Sequence, residues 1–419
     1  MSPDSSEPPA PARPAASVVT EVVAKFHDQL VELRRDLHAH PELSWAETRT
    51  TDLVVGLLDG TGWQVRRVAG GGVVADIGAR GDRARGEGAR RVALRADLDA
   101  LPVEDLTKDP WSSTVPGVAH ACGHDVHVAG LVGAALALDE VHARGLLPGA
   151  VRLVFQPAEE VMPGGALHLL ETGALDEVDE IFGLHCDPSL DVGRVGLRVG
   201  PLTGAADALS VRLAGKGGHT SRPHLTEDLT FALGKLLTEL PAILSRRLDP
   251  RAGASVVWGR VHAGSAHNVI PGVGEVAGTV RMLDAVAWAD AEHLVRTLVS
   301  QIVAPYGVTA EVSYQRGVPP VVNGADSTRV LGTAVESVLG SHGHVPTSQS
   351  LGGEDFGWYL DRVPGAMGRL GTRAPGGPTY DLHQGNLRVD DGAVPIAARV
   401  LAQAAVEALA QDGAGERPR

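Results

Sequence analysis

Aromatic residues are scarce in this sequence: Phe, Trp and Tyr make up only 4% of its 419 residues. A core of stacked rings is excluded, so the 43% of apolar residues must pack mostly as Ala, Val and Leu. Cysteine is nearly absent. With only Cys122 and Cys186, the chain is no disulfide scaffold. Positive charge is in deficit: 37 Lys and Arg against 51 Asp and Glu leave a net charge of -14. Such a surface repels phosphate backbones and anionic lipid, which argues against nucleic acid or membrane as partner. It does not forbid an anionic substrate, because one local Arg outweighs a diffuse field. No apolar run is expected to be long enough to cross a bilayer. Residues 1–17 are rich in Pro, Ala and Ser and lack the basic start and apolar stretch of an export signal. They read as a disordered tail, and the expected address is the cytoplasm.

The length exceeds what one core usually serves, so two domains are expected. Apolar residues recur at helical spacing over residues 18–37 and 46–58. Short apolar runs at 63–68, 72–77 and 91–96 read as strands, with a Gly/Arg/Ala-rich loop over 78–90. A helix over 126–141, a strand over 151–155, a helix over 166–171 and a strand over 180–184 follow. This alternation predicts an α/β fold whose mostly parallel sheet is flanked by helices. Past Pro201 the rhythm changes to strand, helix, strand, strand, helix, strand, over 208–213, 226–244, 255–261, 275–282, 287–304 and 308–314. That is the ferredoxin-like α+β pattern of a small inserted unit. The expected division is a catalytic domain of residues 18–200 and 316–412 interrupted by a unit of residues 201–315.

The densest chemistry lies in His120-Ala121-Cys122-Gly123-His124-Asp125-Val126-His127. In an extended segment His120, Cys122 and His124 share a face, and imidazole and thiolate are good ligands for zinc-like ions. Asp125 either caps the following helix or holds a ligand histidine from behind. Glu159 and Glu160 directly follow an apolar strand; extended geometry would send one to a metal and the other toward substrate as a proton shuttle. A solvated pair at a loop is the alternative. His185 ends another strand, and Asp97 and Asp99 end a third, where they either support a metal site or serve a turn. In the inserted unit, the loop Gly215-Lys216-Gly217-Gly218-His219 lacks phosphate-loop spacing, which rejects nucleotide binding. His219 or His224 is a candidate oxyanion donor. Asn268 and Arg281 are candidates for holding a carboxylate. By composition alone these are ordinary surface polar residues.

Taken in order, four segments resemble the metallopeptidase family of aminoacylases and glutamate carboxypeptidases: Arg95-Ala96-Asp97, His120-Ala121-Cys122-Gly123-His124-Asp125, Gln156-Pro157-Ala158-Glu159-Glu160 and Gly217-Gly218-His219. They are most similar to the branch of hippurate hydrolases and indole-acetyl-amino-acid hydrolases. The resemblance runs from about residue 26 to residue 409 and includes Leu37-His38-Ala39-His40-Pro41-Glu42-Leu43. It implies a soluble amidohydrolase that cleaves the amide bond of N-acyl amino acids. It also implies two divalent ions per subunit, Mn2+ or Zn2+ with Co2+ or Ni2+ able to substitute, held by Cys122, His124, Glu160, His185 and His383. Glu159 becomes the general base and His219 the oxyanion donor, typically from a partner subunit. Asn268 and Arg281 become the carboxylate holders, with Asp97 and Asp125 in support. A homodimer through the inserted unit, acting as a lid, is the implied assembly.

Two departures stand out. Val161-Met162-Pro163 replaces the usual glycines after the Glu pair, and Gln384-Gly385-Asn386 replaces the usual Pro and aromatic after the last ligand histidine. Other readings stay open on the residues: a carboxypeptidase-like or aminobenzoyl-glutamate hydrolase, a hydrolase using Cys122 as nucleophile, or a non-catalytic metal-dependent binding protein.

Overall fold

The structure, a computed structural model, describes residues 12–78 and 90–411. The expected tail lies outside the described residues over 1–11, and the expected loop does so over 79–89. Residues 12–17 are not tail. They begin the helix Ala12–Lys25, because Ala15, Val18, Val19 and Val22 bury one face, and that burial outweighs the Pro/Ala/Ser composition. The predicted helix over 18–37 is two helices, Ala12–Lys25 and His27–Ala39, with the backbone turning at Phe26.

The chain divides into two compact units. The first comprises Met1–Gly200, Val322–Ser348 and Trp358–Arg419. Its eight-stranded sheet runs, edge to edge, Gln64–Arg67, Val73–Ile77, Ala150–Gln156, Arg91–Asp97, Glu180–Asp191, Gly365–Arg373, Val195–Leu197 and His344–Pro346. The four strands from Ala150–Gln156 to Gly365–Arg373 pair in parallel, while antiparallel pairs flank them. The sheet is therefore mixed, with its parallel part at the centre. Register sets Asp97 opposite Gln156 and Arg95 opposite Gly183, so two neighbouring parallel strands end level with each other, near His185 of the longer third. The carboxyl edge of such strands is where α/β folds place their sites.

Two helices, His124–Ala143 and Ala393–Ala410, pack against each other in the core. A Cβ on Gly130 would sit 2.7 Å from the Ala397 Cβ, and one on Gly133 2.7 Å from the Ala398 Cβ. Small residues thus allow close helix approach, which is how a core poor in aromatics reaches density. Both helices are long and apolar enough to cross a membrane by length and composition, which corrects the expectation of no such run. Most of each helix is buried inside the protein, as core helices are.

The second unit comprises Pro201–Val321 and Gln349–Gly357, so it reaches past residue 315 and takes in a later segment. Its antiparallel sheet runs Ser255–Ala263, Val273–Met282, Ala205–Ala214, Thr309–Val318, with helices Leu229–Arg247 and Ala285–Val303. This is the ferredoxin-like strand order. Asp228 and Asp284 cap the two helices by accepting the N–H groups of Phe231 and Ala287, each cap worth about 1 kcal/mol. Buried Asp207 accepts from Trp288 Nε1 at 2.8 Å, Tyr314 Oη at 2.5 Å and the Gly317 N–H at 2.9 Å, tying a helix and two strands together. Two of the few aromatics serve here as hydrogen-bonding anchors.

Candidate metal centre

Two strand ends, one mid-strand position and one helix start converge in the first unit. Arg91–Asp97 delivers Asp97 and, just beyond it, Asp99; Ala150–Gln156 delivers Glu159 and Glu160; Glu180–Asp191 carries His185. The turn before His124–Ala143 supplies Cys122, and the helix itself opens on His124. Gly123 makes this turn with φ +83°, and a Cβ there would lie 2.7 Å from the Cys186 sulfur. Only glycine suits both demands. Because the segment turns instead of staying extended, the alternation that put His120 beside Cys122 and His124 does not operate. His120 is buried with neither ring nitrogen hydrogen-bonded, and burial pushes it down to about 4.

Backbone carbonyls orient the candidate ligand imidazoles. His124 Nδ1 donates to the Asp99 carbonyl at 2.8 Å, which turns Nε2 into the cluster. There it lies 3.6 Å from Asp97 Oδ2, 3.7 Å from Glu160 Oε1 and 3.9 Å from Glu159 Oε2. His185 Nδ1 donates to the Cys186 carbonyl at 2.8 Å, and its Nε2 stands 3.5 Å from Cys122 Sγ. His383 Nε2 is 3.4 Å from Glu160 Oε2. The His383 backbone sits at φ +62° and is pinned by its N–H to the Ala121 carbonyl, 2.8 Å, although its side chain is 55% exposed.

The electrostatics of this cluster are those of crowded donors. Burial opposes a charged His124, but Asp97, Asp99 and Glu160 outweigh it and raise the imidazole to about 10. Burial, then Glu160, Glu159 and Asp97, hold the Cys122 thiol well above its ordinary value. Burial also raises Glu160, against the pull of His124 and His383. Asp97 runs the other way: despite burial, Arg95, His124 and His127 keep it well below the usual carboxylate range.

A divalent cation would relieve this crowding. His124 Nε2 and Glu160 Oε1 are buried without a hydrogen-bond partner, an arrangement costly unless something binds both. Ligand atoms of Cys122, His124 and His185 lie within 4.8 Å of one another, as do those of Cys122, Glu160 and His383. The two groups share Cys122, and thiolate, imidazole and carboxylate together suit first-row divalent ions.

Comparison with known proteins points the same way. The model of the peptidase family M20/M25/M40 matches residues 93–407. The chain belongs to that family. It is therefore a hydrolase of amide bonds, and its relatives bear this out. N-acetylcysteine deacetylase of Bacillus subtilis (strain 168) is 36% identical over 386 residues, 92% of this chain and 98% of the relative. The crystal structure of the Bacillus subtilis YXEP protein, described as a dinuclear metal binding peptidase of the M20 family, superposes with a TM-score of 0.79 at 34% identity. That match covers 92% of this chain and 99% of the other. A Rhodococcus jostii (strain RHA1) protein bearing a glutamate–cysteine ligase name is 48% identical over 383 residues, 91% of this chain, but the chain spans only 47% of its length.

Asp97 is held from two sides: its Oδ1 accepts from His127 Nδ1 at 2.5 Å, and Arg95 holds its Oδ2 at 2.6 Å. His127 Nε2 accepts the Cys186 N–H at 2.9 Å, so both of its nitrogens are spent. Asp125, in contrast, touches no ligand histidine. It pairs with Arg34 Nε and His38 Nδ1, both at 2.8 Å. Each residue of an α-helix is turned roughly 100° from the last, so Asp125 faces the helix His27–Ala39 while His124 faces the site.

Asp99, open from sequence between metal support and turn chemistry, clamps the Glu pair. Its two oxygens accept the N–H groups of Glu159 and Glu160, each at 3.0 Å. Ser44 and Glu47 escaped notice. Ser44 Oγ donates to Asp99 Oδ2 at 2.6 Å, and Glu47 Oε1 accepts the Ala158 N–H at 2.7 Å. Both closely follow the segment over 37–43, which was the available signal.

The second unit holds the remaining candidates. His219 is exposed, and its Nδ1 accepts from the Ser221 N–H at 3.1 Å, which leaves the proton on Nε2. His219 pairs with Val269 in a short ladder, and the Thr220 N–H donates to the Asn268 carbonyl. One Arg281 nitrogen donates to the Leu351 carbonyl. His224 is exposed on a short turn.

Proposed function

We propose that this chain hydrolyses the amide bond of N-acyl amino acids, hippurate-like conjugates included, releasing a carboxylic acid and a free amino acid. The observation that carries the reading is the pair of buried atoms without a hydrogen-bond partner, His124 Nε2 and Glu160 Oε1, beside Cys122, His185 and His383. These five residues would hold two divalent ions, manganese or zinc. Bound there, such ions supply Lewis acidity to the amide carbonyl and make water acidic enough to ionise near neutral pH.

The residues of the chain do the rest. Glu159 takes the proton of the attacking water on its carboxylate and passes it to the leaving nitrogen, so one group serves both halves of the reaction. His219, with its proton on Nε2, donates to the developing oxyanion. Arg281 and Asn268 hold the amino acid's carboxylate, the Arg by charge and the Asn by its amide N–H. Asp99 keeps Glu159 and Glu160 in register by holding their backbone N–H groups. A Cys122 nucleophile is disfavoured, since a raised, buried thiol is the opposite of the exposed thiolate such chemistry needs.

One panel tests this: acetyl, benzoyl and indole-acetyl amino acids assayed on protein of measured metal content. Hydrolysis that chelation abolishes and added divalent metal restores is expected. Activity that survives chelation but not thiol alkylation would overturn the reading. The homodimer through the second unit, with His219 serving the partner's substrate, is part of the same proposal. Mixing inactive Glu159→Ala and His219→Ala subunits should then recover some turnover, and no recovery refutes the trans arrangement.

A further inference from the structure

The loop that carries the Glu pair is held from two sides by carboxyl groups, and only one of them belongs to the catalytic segments already described. Three consecutive backbone N–H groups, those of Ala158, Glu159 and Glu160, donate to side chains: the first to Glu47 Oε1 and the other two to Asp99. Ala158 sits at φ +53°, in the left-handed region where a Cβ crowds the following carbonyl oxygen. A non-glycine residue stays there only when its surroundings fix it. Its carbonyl accepts the Gly165 N–H at 2.9 Å, so Glu47 supplies the fixing contact on the N–H side.

We infer that Glu47 is a positioning residue, whose Oε1 locks the left-handed turn at Ala158 and so sets the direction in which Glu159 and Glu160 leave the backbone. Three further observations support this. Glu47 occupies the N-cap of the helix Thr48–Leu58, yet its side chain accepts no N–H of that helix. The same Oε1 also accepts the Trp45 N–H at 3.0 Å, so one oxygen holds two backbone groups and its direction is fixed. Three residues earlier, Ser44 holds Asp99, so one short segment braces both carboxyl clamps. Burial raises the Glu47 carboxyl to about 7, and either protonation state keeps an oxygen that accepts both N–H groups.

The inference rests on the proposed hydrolysis, and its test separates the two. The acceptor geometry, not the charge, matters here. Glu47→Gln keeps an oxygen in place, Glu47→Asp keeps the charge but falls one methylene short, and Glu47→Ala keeps neither. Aspartate is a favoured N-cap, so the Asp variant is expected to fold. Expected is a kcat loss of about 100-fold for Asp and Ala, with KM changed by less than about threefold and Gln close to wild type. Hydrogen exchange of the full chain, with and without metal, should quicken over residues 158–160 in Asp and Ala but not in Gln. If Asp is active and Gln is not, or if exchange over 158–160 is the same in all variants, Glu47 has no positioning role. Should the wild-type protein hydrolyse no acyl-amino acid, the functional reading falls, and the exchange measurement still decides the role of Glu47.

Discussion

The candidate groups of the two units are held in different ways. In the first unit Cys122, His124 and His185 are buried, and the two imidazoles are aimed by hydrogen bonds to backbone carbonyls. In the second, His219 stands exposed on a two-stranded ladder with exposed Asn268 just before its partner strand, and Ser221 fixes the His219 tautomer. Donors placed before the ion arrives spare the cost of reorienting several buried ligands on binding. Groups that meet only substrate can be ordered by that substrate. On the proposed function, the first unit is built for holding and the second for meeting.

That contrast can be broken. Glu159→Gln removes the proton carrier while leaving the ligand set alone, so kcat should fall by about 1000-fold with metal content unchanged. Elemental analysis beside the assay checks both halves, and a fully active variant would remove Glu159 from the mechanism. His219→Ala should cost about 100-fold in kcat, as for the loss of an oxyanion donor, with no change in bound metal or melting temperature because the side chain is exposed. A variant that lost metal as well would show that the second unit also builds the centre. Arg281→Ala should act on binding: KM for N-acyl amino acids rises about 30-fold, which corresponds to roughly 2 kcal/mol for a charged hydrogen bond. An N-acyl amine without a carboxylate should be hydrolysed equally by both proteins. If it too is lost, Arg281 does something other than hold a carboxylate.

The same contrast explains what the sequence disclosed. Strands such as Arg91–Asp97 and Ala150–Gln156 were legible because both faces are buried and apolar residues dominate the run. Gly365–Arg373 was not, since its glycines and arginines hide a buried strand, and Ala393–Ala410 offers nearly uniform alanine and valine with little periodicity to read. At the site, the crowding of His and Cys between 120 and 127 was visible, but the turn at Gly123 that separates His120 from Cys122 was not. Asp125 was misread for want of helix phase: its partner Arg34 lies far back in the chain. Glu47 was invisible for the same reason, because its partner is a backbone N–H at residue 158, which no side-chain pattern records.

The smallest effect tests how tightly the clamp itself is buried. Glu47 has its carboxyl raised from 4.5 to about 7, chiefly by burial, with the charge of Asp99 adding to it. The unfolded chain loses this proton near the ordinary value while the folded chain keeps it to about 7, so the native state binds more protons between those limits. Stability from this group is therefore complete below about pH 4.5 and is lost as pH rises through 7, a change of about 3 kcal/mol. Glu47→Gln cannot ionise and keeps both hydrogen bonds. In metal-free protein its melting temperature should thus gain on wild type as pH rises from 4.5 to 8, by a few degrees at most, and then hold a constant lead. A lead that is the same at every pH would mean that the Glu47 carboxyl titrates normally and that the brace on Ala158 is open to water.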